Sequence, residues 1–252
     1  MKYDIDRETV LAAPAEASAS TIETFFHELE AVLATSPPTL RIDCASIQRA
    51  VSGHVGILWT AQRHGAEAGI PVVLTNVSPM TMRILQVLDV AGLFEYEDLR
   101  EGAIPPSTGK IPVVGVQTYR QRFPVSASAA RQALRRMLTF LNDAGLPALP
   151  VLDIQTIAYE LLQNIVLHSG ADATDDIRME VEYDPENVQL MISDHGTPFD
   201  LTSEMDEIDL EQAAADRRTH GFGLLLIRRL ADAIRYDRSN GRNVVTVVRK
   251  VR

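Results

Sequence analysis

The residues best suited to chemistry fall in three short stretches of the later half of the chain. They are Glu160-Leu-Leu-Gln-Asn164 with His168 beyond it, Asp194-His-Gly196-Thr-Pro198, and Gly221-Phe-Gly223 at the head of an apolar run. On a helix Glu160 and Asn164 lie four apart and share a face, beside the apolar arc of Ile154, Ile157, Leu161 and Ile165. An amide oxygen placed there can complete the octahedral shell of Mg²⁺, whose other ligands are phosphate and water. A carboxylate one turn away can align an attacking hydroxyl or water and accept its proton. His168, a further turn along, is placed to touch phosphate. The plainer reading of this segment is a surface glutamate and an asparagine near a helix end.

Asp194 follows the strand-like Leu190-Met-Ile-Ser193, which puts a carboxylate at the mouth of a sheet. An acceptor-only group in that place suits the exocyclic amine of adenine and repels the carbonyl of guanine. Gly196 leaves room for a planar ring and Pro198 stiffens the turn. Taken alone, the segment also reads as an ordinary turn ending a strand. Gly221 and Gly223 open a helix, where bare N–H groups and the helix dipole attract phosphate. The third glycine of a dinucleotide-binding fingerprint is missing, and no G-x-x-x-x-G-K-[ST] loop occurs. In their order and spacing the three stretches describe a pocket for ATP and Mg²⁺.

The elements that must hold these residues follow from periodicity. After the proline-rich stretch 104–124, a helix is predicted over 129–142 with Arg131, Arg135 and Arg136 on its polar side, and a second over 151–168. Strands at 177–183 and 188–193 flank an Asp184-Pro-Glu-Asn187 turn. Residues 200–220 are charged and aperiodic, of a length typical of a mobile lid or a disordered link. A helix over 221–234 and a closing strand over 243–249 complete this half. Before the prolines, a helix over 20–34, a strand over 39–44, a helix over 53–68 and a strand over 71–75 imply a small α/β layer structure. The apolar stripe of Val55, Leu58 and Trp59 reads either as core or as a docking face. The expected division is 1–104, a linker over 105–118, and 119–252.

Composition excludes more than it assigns. The 252 residues carry 24 Lys+Arg against 34 Asp+Glu, and both halves are acidic, which argues against nucleic acid as a partner. With Cys44 as the sole cysteine, no internal disulfide and no thiolate zinc cluster can form. No run of about 18 apolar residues occurs and the N-terminus has no apolar signal core, so no membrane association and a cytoplasmic setting are expected.

The ordered set of segments resembles the ATP-binding module shared by gyrases, a class of heat-shock chaperones, histidine kinases and MutL proteins. Within that superfamily it is most similar to the serine kinases that act as anti-sigma factors, through Gly223-Leu-Leu-Leu-Ile-Arg-Arg-Leu-Ala-Asp232 and Gly241-Arg-Asn-Val-Val-Thr246. The resemblance covers about residues 119–252 and implies an α/β sandwich. It also implies Asn164 as the metal ligand, Glu160 as the base, Thr246 near the purine, and pairing into a homodimer. No histidine lies in 129–142, which weakens a histidine-kinase reading.

Residues 38–98 resemble the STAS domain, the fold of the antagonists such kinases phosphorylate. Aligned through Asp43 and Gly56-Ile-Leu58, the phosphoacceptor loop reads Val51-Ser52-Gly53-His54, so the resemblance makes Ser52 the candidate acceptor. The alternative for Ser52 is a helix cap. The expected protein is an α/β (α+β) fusion of a STAS-like unit with an ATP-dependent serine kinase unit. Its expected partners are proteins: an antagonist of STAS fold, a sigma factor or another regulator of transcription. The alternative is a non-enzymatic nucleotide-binding regulator that sequesters a partner without phosphoryl transfer.

Overall fold

The computed structural model describes residues 9–48, 50–100, 115–170, 175–206 and 222–251. Gly221, most of the expected linker and residues 207–220 of the expected lid lie outside the described residues. Contacts divide the chain into two compact units, one built on Met1–Ala103 and the other on Ile104–Ile208 with Gly223–Arg252. Among the described residues no helix is long and apolar enough to cross a membrane.

The first unit alternates strand and helix, as its sequence pattern predicts. Its elements are β1 (Thr9–Ala12), α1 (Ala19–Leu33), β2 (Leu40–Asp43), α2 (Ser52–Ala68), β3 (Val72–Thr75), α3 (Pro79–Val87) and β4 (Glu95–Glu97). The strands form a wholly parallel sheet in the order β1-β2-β3-β4. β3 is buried along its length, which explains why Val-Val-Leu-Thr shows no alternation. Ser18 and Ser78 accept N–H bonds at the starts of α1 and α3, and Pro79 occupies the first turn of α3. Val55 and Leu58 are core residues, so that part of the stripe packs inward, whereas Trp59 is half-buried.

The second unit is an antiparallel sheet with helices on one face. Its elements are β5 (Gln117–Pro124), α4 (Ala127–Asp143), α5 (Ala148–His168), β6 (Asp176–Tyr183), β7 (Asn187–Asp194), α6 (Leu201–Asp206), α7 (Phe222–Leu230), β8 (Ala233–Ser239) and β9 (Arg242–Lys250). The sheet order is β5-β6-β7-β9-β8. Phe123, Ile177, Met179, Val181, Val188, Leu190, Ile192, Val245 and Val247 point to the covered face, where α4 and α5 bring Leu134, Met137, Ile154, Ile157 and Leu161. The cross-strand partners Arg122, Arg178, Ser193 and Val244 share the other face, as do Arg120, Glu180, Met191 and Thr246.

Two sequence expectations change here. The helix predicted over 221–234 ends at Leu230, because Asp232 N–H turns to the Val248 carbonyl at 2.9 Å and 233–239 pair with β9. The hairpin between them turns at Asn240 and Gly241, with φ of 52° and 76°, and this Asn-Gly pair is the sequence signal for such a turn. The second change is β5, which runs through a stretch that proline content marks as irregular. It is an edge strand, and Pro124 falls on its last rung where a missing N–H costs little.

Two charge networks tie the sheet together. Asp153 on α5 is buried and accepts from Arg249 Nε of β9 at 3.0 Å, while Arg249 Nη1 donates to Asp232 at 2.7 Å. At the opposite corner Asp176 faces Arg242, Arg122 and Arg178. Burial alone would raise the Asp176 carboxyl, but those guanidiniums outweigh it and hold it below the ordinary range.

Replacing Arg249 by Met removes the cation that faces Asp153 and is expected to cost about 3 kcal/mol in urea unfolding. The depressed Asp176 carboxyl adds stability that is present above its unfolded value of roughly 3.9 and is lost as pH falls through its folded value. Asp176→Asn is therefore expected to flatten the acid limb of a melting-temperature profile.

Candidate functional site

α5 carries the first part of the site. Glu160 is 4% exposed, next to the core residue Leu161, and Asn164 is half-buried one turn nearer the helix end. His168 is exposed at the last position of α5, and Ser169 caps the helix. At 1.5 Å per residue, Asn164 stands about 7 Å and Glu160 about 13 Å back along the axis from Ser169.

The end of α5 is joined to the turn after β7. Thr197 N–H donates to the Ser169 carbonyl at 2.9 Å. Gly196 packs against the same residue so closely that a Cβ there would lie 2.5 Å from Ser169 Cβ and 2.7 Å from Asp194 Oδ1. A side chain is thus excluded by contact as well as by the space an incoming ring would need. Asp194, the last residue of β7, is 5% exposed. Its Oδ1 accepts from Gly196 N–H at 2.7 Å and from Asn243 Nδ2 at 3.1 Å, so both bonds fall on one oxygen and Oδ2 lies outside them. Pro198 is exposed beyond the turn.

Asn243 was not among the residues that sequence reasoning selects. It sits on the rung of β9 opposite Asp194 and is itself buried. Its Nδ2 also reaches the carbonyls of Thr197 at 3.0 Å and Gly196 at 3.4 Å. Its Oδ1 accepts from Tyr236 Oη at 2.9 Å and from Arg238 Nη1 at 2.6 Å, and Arg238 Nη1 also donates to the Gly196 carbonyl at 3.2 Å. The only sequence hint is the Asn240-Gly241 hairpin, which fixes the register of β9 against β8. The register against β7 is a tertiary fact.

The remaining candidates divide. Gly223 is buried in the first turn of α7, behind the buried Phe222, whereas its companion Gly221 lies outside the described residues. Thr246 is not brought to the others. It pairs with Met191 and Arg235, and strand alternation puts it on the helix-free face, opposite the one that Asp194 and Asn243 share. In this structure Asn243, rather than Thr246, stands on the rung opposite Asp194.

In the first unit Ser52 is the first residue of α2 and is 8% exposed. The cap position is Val51, whose N–H donates to His54 Nδ1 at 3.3 Å, so an imidazole serves this helix start. Burial pushes the His54 imidazole down, only partly countered by the Ala15 and Pro14 carbonyls. A Cβ on Gly53 would lie 2.6 Å from that of Ala17, so the segment before α1 presses on this turn.

Residues 123–249 match the family described as histidine kinase-like ATPase domain, and residues 1–97 match the family described as Mlab, STAS domain. No curated protein matches the chain. Among solved structures, one of the RsbU and RsbW domains of a Mycobacterium tuberculosis protein is similar at 17% identity and a TM-score of 0.38. That match covers 53% of this chain, which spans 32% of the length of the other. The SiaB-SiaC complex from Pseudomonas aeruginosa is similar at 15% identity and a TM-score of 0.39, over 52% of this chain and 89% of that one.

Gly196→Ala sets a methyl group against both Ser169 and the Asp194 carboxylate, so both contacts must open. It is expected to destabilise the second unit by about 2 kcal/mol and to speed hydrogen exchange at Thr197 N–H selectively. Equal exchange in both proteins would show that the contact is slack.

Proposed function

We propose that this chain, which belongs to the histidine kinase-like ATPase family and carries a STAS domain over residues 1–97, is an ATP-binding partner-switching regulator. Its second unit is an ATP-dependent protein serine kinase of anti-sigma-factor type. The observation that carries this reading is the linear order along α5. The Asp194 turn is anchored at Ser169, Asn164 lies farther back and Glu160 farther still, buried. A nucleotide laid along the helix with its base at Asp194 would bring its phosphates to Asn164 and its reacting end to Glu160.

The donor set fits Mg²⁺-ATP. Asn164 offers one neutral amide oxygen, and triphosphate oxygens with water supply the other ligands. Oδ2 of Asp194, free of the two bonds on Oδ1, is the acceptor for the adenine amine, and Gly196 keeps the approach to it open. Gly223 in the first turn of α7, which Gly221 precedes in the sequence, would meet phosphate. Glu160, held on a helix face beside Leu161, would orient the acceptor hydroxyl and take its proton as the hydroxyl oxygen bonds to the γ-phosphorus and the bond from that phosphorus to the β–γ bridging oxygen breaks, ADP leaving with the bridging oxygen. Mg²⁺ with the triphosphate supplies the electrophilic phosphoryl group.

The acceptor is best supported as a serine on a separate STAS-type protein. Ser52 is buried, and the Ala17 contact at Gly53 presses on its turn, so its hydroxyl would need the α2 start to open before it could reach a nucleotide. The partner would be a protein whose release from sequestration controls transcription.

Incubating the full chain with γ-labelled ATP and Mg²⁺, with and without STAS-type candidate proteins, tests the reading. Label is expected on a partner serine. Glu160→Gln is expected to lower transfer by roughly 100-fold or more while ATP affinity stays within a few-fold. ATP binding with no labelled protein, and partner association indifferent to Glu160→Gln, would instead identify a non-enzymatic regulator. Phosphate release without labelled protein would identify an ATPase.

A further inference from the structure

We infer that Asn243, acting with Tyr236 and Arg238, is the positioning residue that makes the pocket select adenine over guanine. The inference rests on the nucleotide reading of the Asp194 turn and concerns how that turn is held. The Asn243 amide uses its full capacity. Its oxygen takes two donors, at 2.9 Å from Tyr236 and 2.6 Å from Arg238, and its NH₂ faces three oxygens, those of Asp194, Thr197 and Gly196. The orientation is therefore determined. A flipped amide would set its oxygen against a carboxylate and two carbonyls, and its NH₂ against a guanidinium and a phenol.

Selectivity follows from what this does to one carboxylate. A carboxylate turns freely about its terminal torsion unless something holds it. Here Oδ1 is held from two sides, by Gly196 N–H along the chain and by Asn243 across the sheet, so Oδ2 presents a single acceptor direction. A purine amine donates to that oxygen, and a purine carbonyl in its place meets it acceptor to acceptor. Without Asn243 the carboxylate keeps only the Gly196 bond. The turn also loses its tethers at the Gly196 and Thr197 carbonyls, with Arg238 alone still reaching Gly196. The carboxylate can then swing to accept from the ring N–H and 2-amino group of guanine. Tyr236 and Arg238 act one step farther out, since each fixes the amide that fixes the carboxylate.

Calorimetric titration of the full chain with ATP and with GTP, each with Mg²⁺, reads this as a ratio of dissociation constants. Wild type is expected to favour ATP, and Asn243→Ala to reduce the preference at least ten-fold. Tyr236→Phe removes a single hydroxyl from the second step and is expected to reduce it several-fold. Should Asn243→Ala fail to fold, Tyr236→Phe and Arg238→Met decide the matter. A ratio unchanged in the folded variants, whether both affinities fall together or neither moves, overturns the inference, because a purely structural support would weaken both nucleotides alike. A wild type that binds neither nucleotide overturns the pocket, and this inference with it. A wild type that binds ATP without regard to Asn243 overturns this inference alone.

Discussion

The close approach of Gly196 to Ser169 is the constraint on which the second unit's site depends. A helix end and a strand end meet there at backbone distance, and the Thr197 N–H bond to the Ser169 carbonyl closes the seam. Everything the site could do is measured from that point: outward along α5 to Asn164 and Glu160, and inward to Asp194. Because the helix is rigid at 1.5 Å per residue, one anchored contact sets the spacing of polar groups that lie far apart in sequence. The Asp153–Arg249 pair ties the first half of α5 to β9.

Among the described residues of this unit, several buried polar groups form connected sets. Asp194 and Asn243 satisfy one another and the turn between them. Asp176 collects three guanidiniums at a sheet corner, with Arg242 also bonded to the Ser193 carbonyl at 3.1 Å. Such sets specify geometry more than they add stability, since each member is costly to leave alone. The start of α2 in the first unit differs: His54 rather than a serine hydroxyl serves the Val51 N–H, and the His54 Nε2 is buried without a hydrogen-bond partner among the described residues. That arrangement leaves Ser52 buried in the first turn of α2.

Helices with strong periodicity were legible in advance. α1, α2, α4 and α5 fall within a few residues of expectation, because apolar spacing of three and four is imposed by burial of one face. Strands with alternation or a bounded apolar run were legible for the same reason. β5 and β8 were not. Both are edge strands rich in charge, and half of their pairing capacity and most of their side chains face water, so burial leaves little mark on their composition. Asn240-Gly241 is a local turn signal at the end of β8, but the helical periodicity over 221–234 runs into the start of that strand. β1, α3 and β4 are short and lean on neighbours for definition.

At the site, the sequence by itself determined which residue types were present and which could share a helix face: Glu160 with Asn164, a carboxylate ahead of Gly196, glycine at the head of α7. These are local relations, fixed by helical and strand periods. Only the tertiary structure decided that Thr246 faces away while Asn243 stands beside Asp194, and that Gly196 must touch Ser169. Those outcomes depend on strand register, where a shift of one residue exchanges the two faces of the sheet, and register is set by contacts between segments dozens of residues apart.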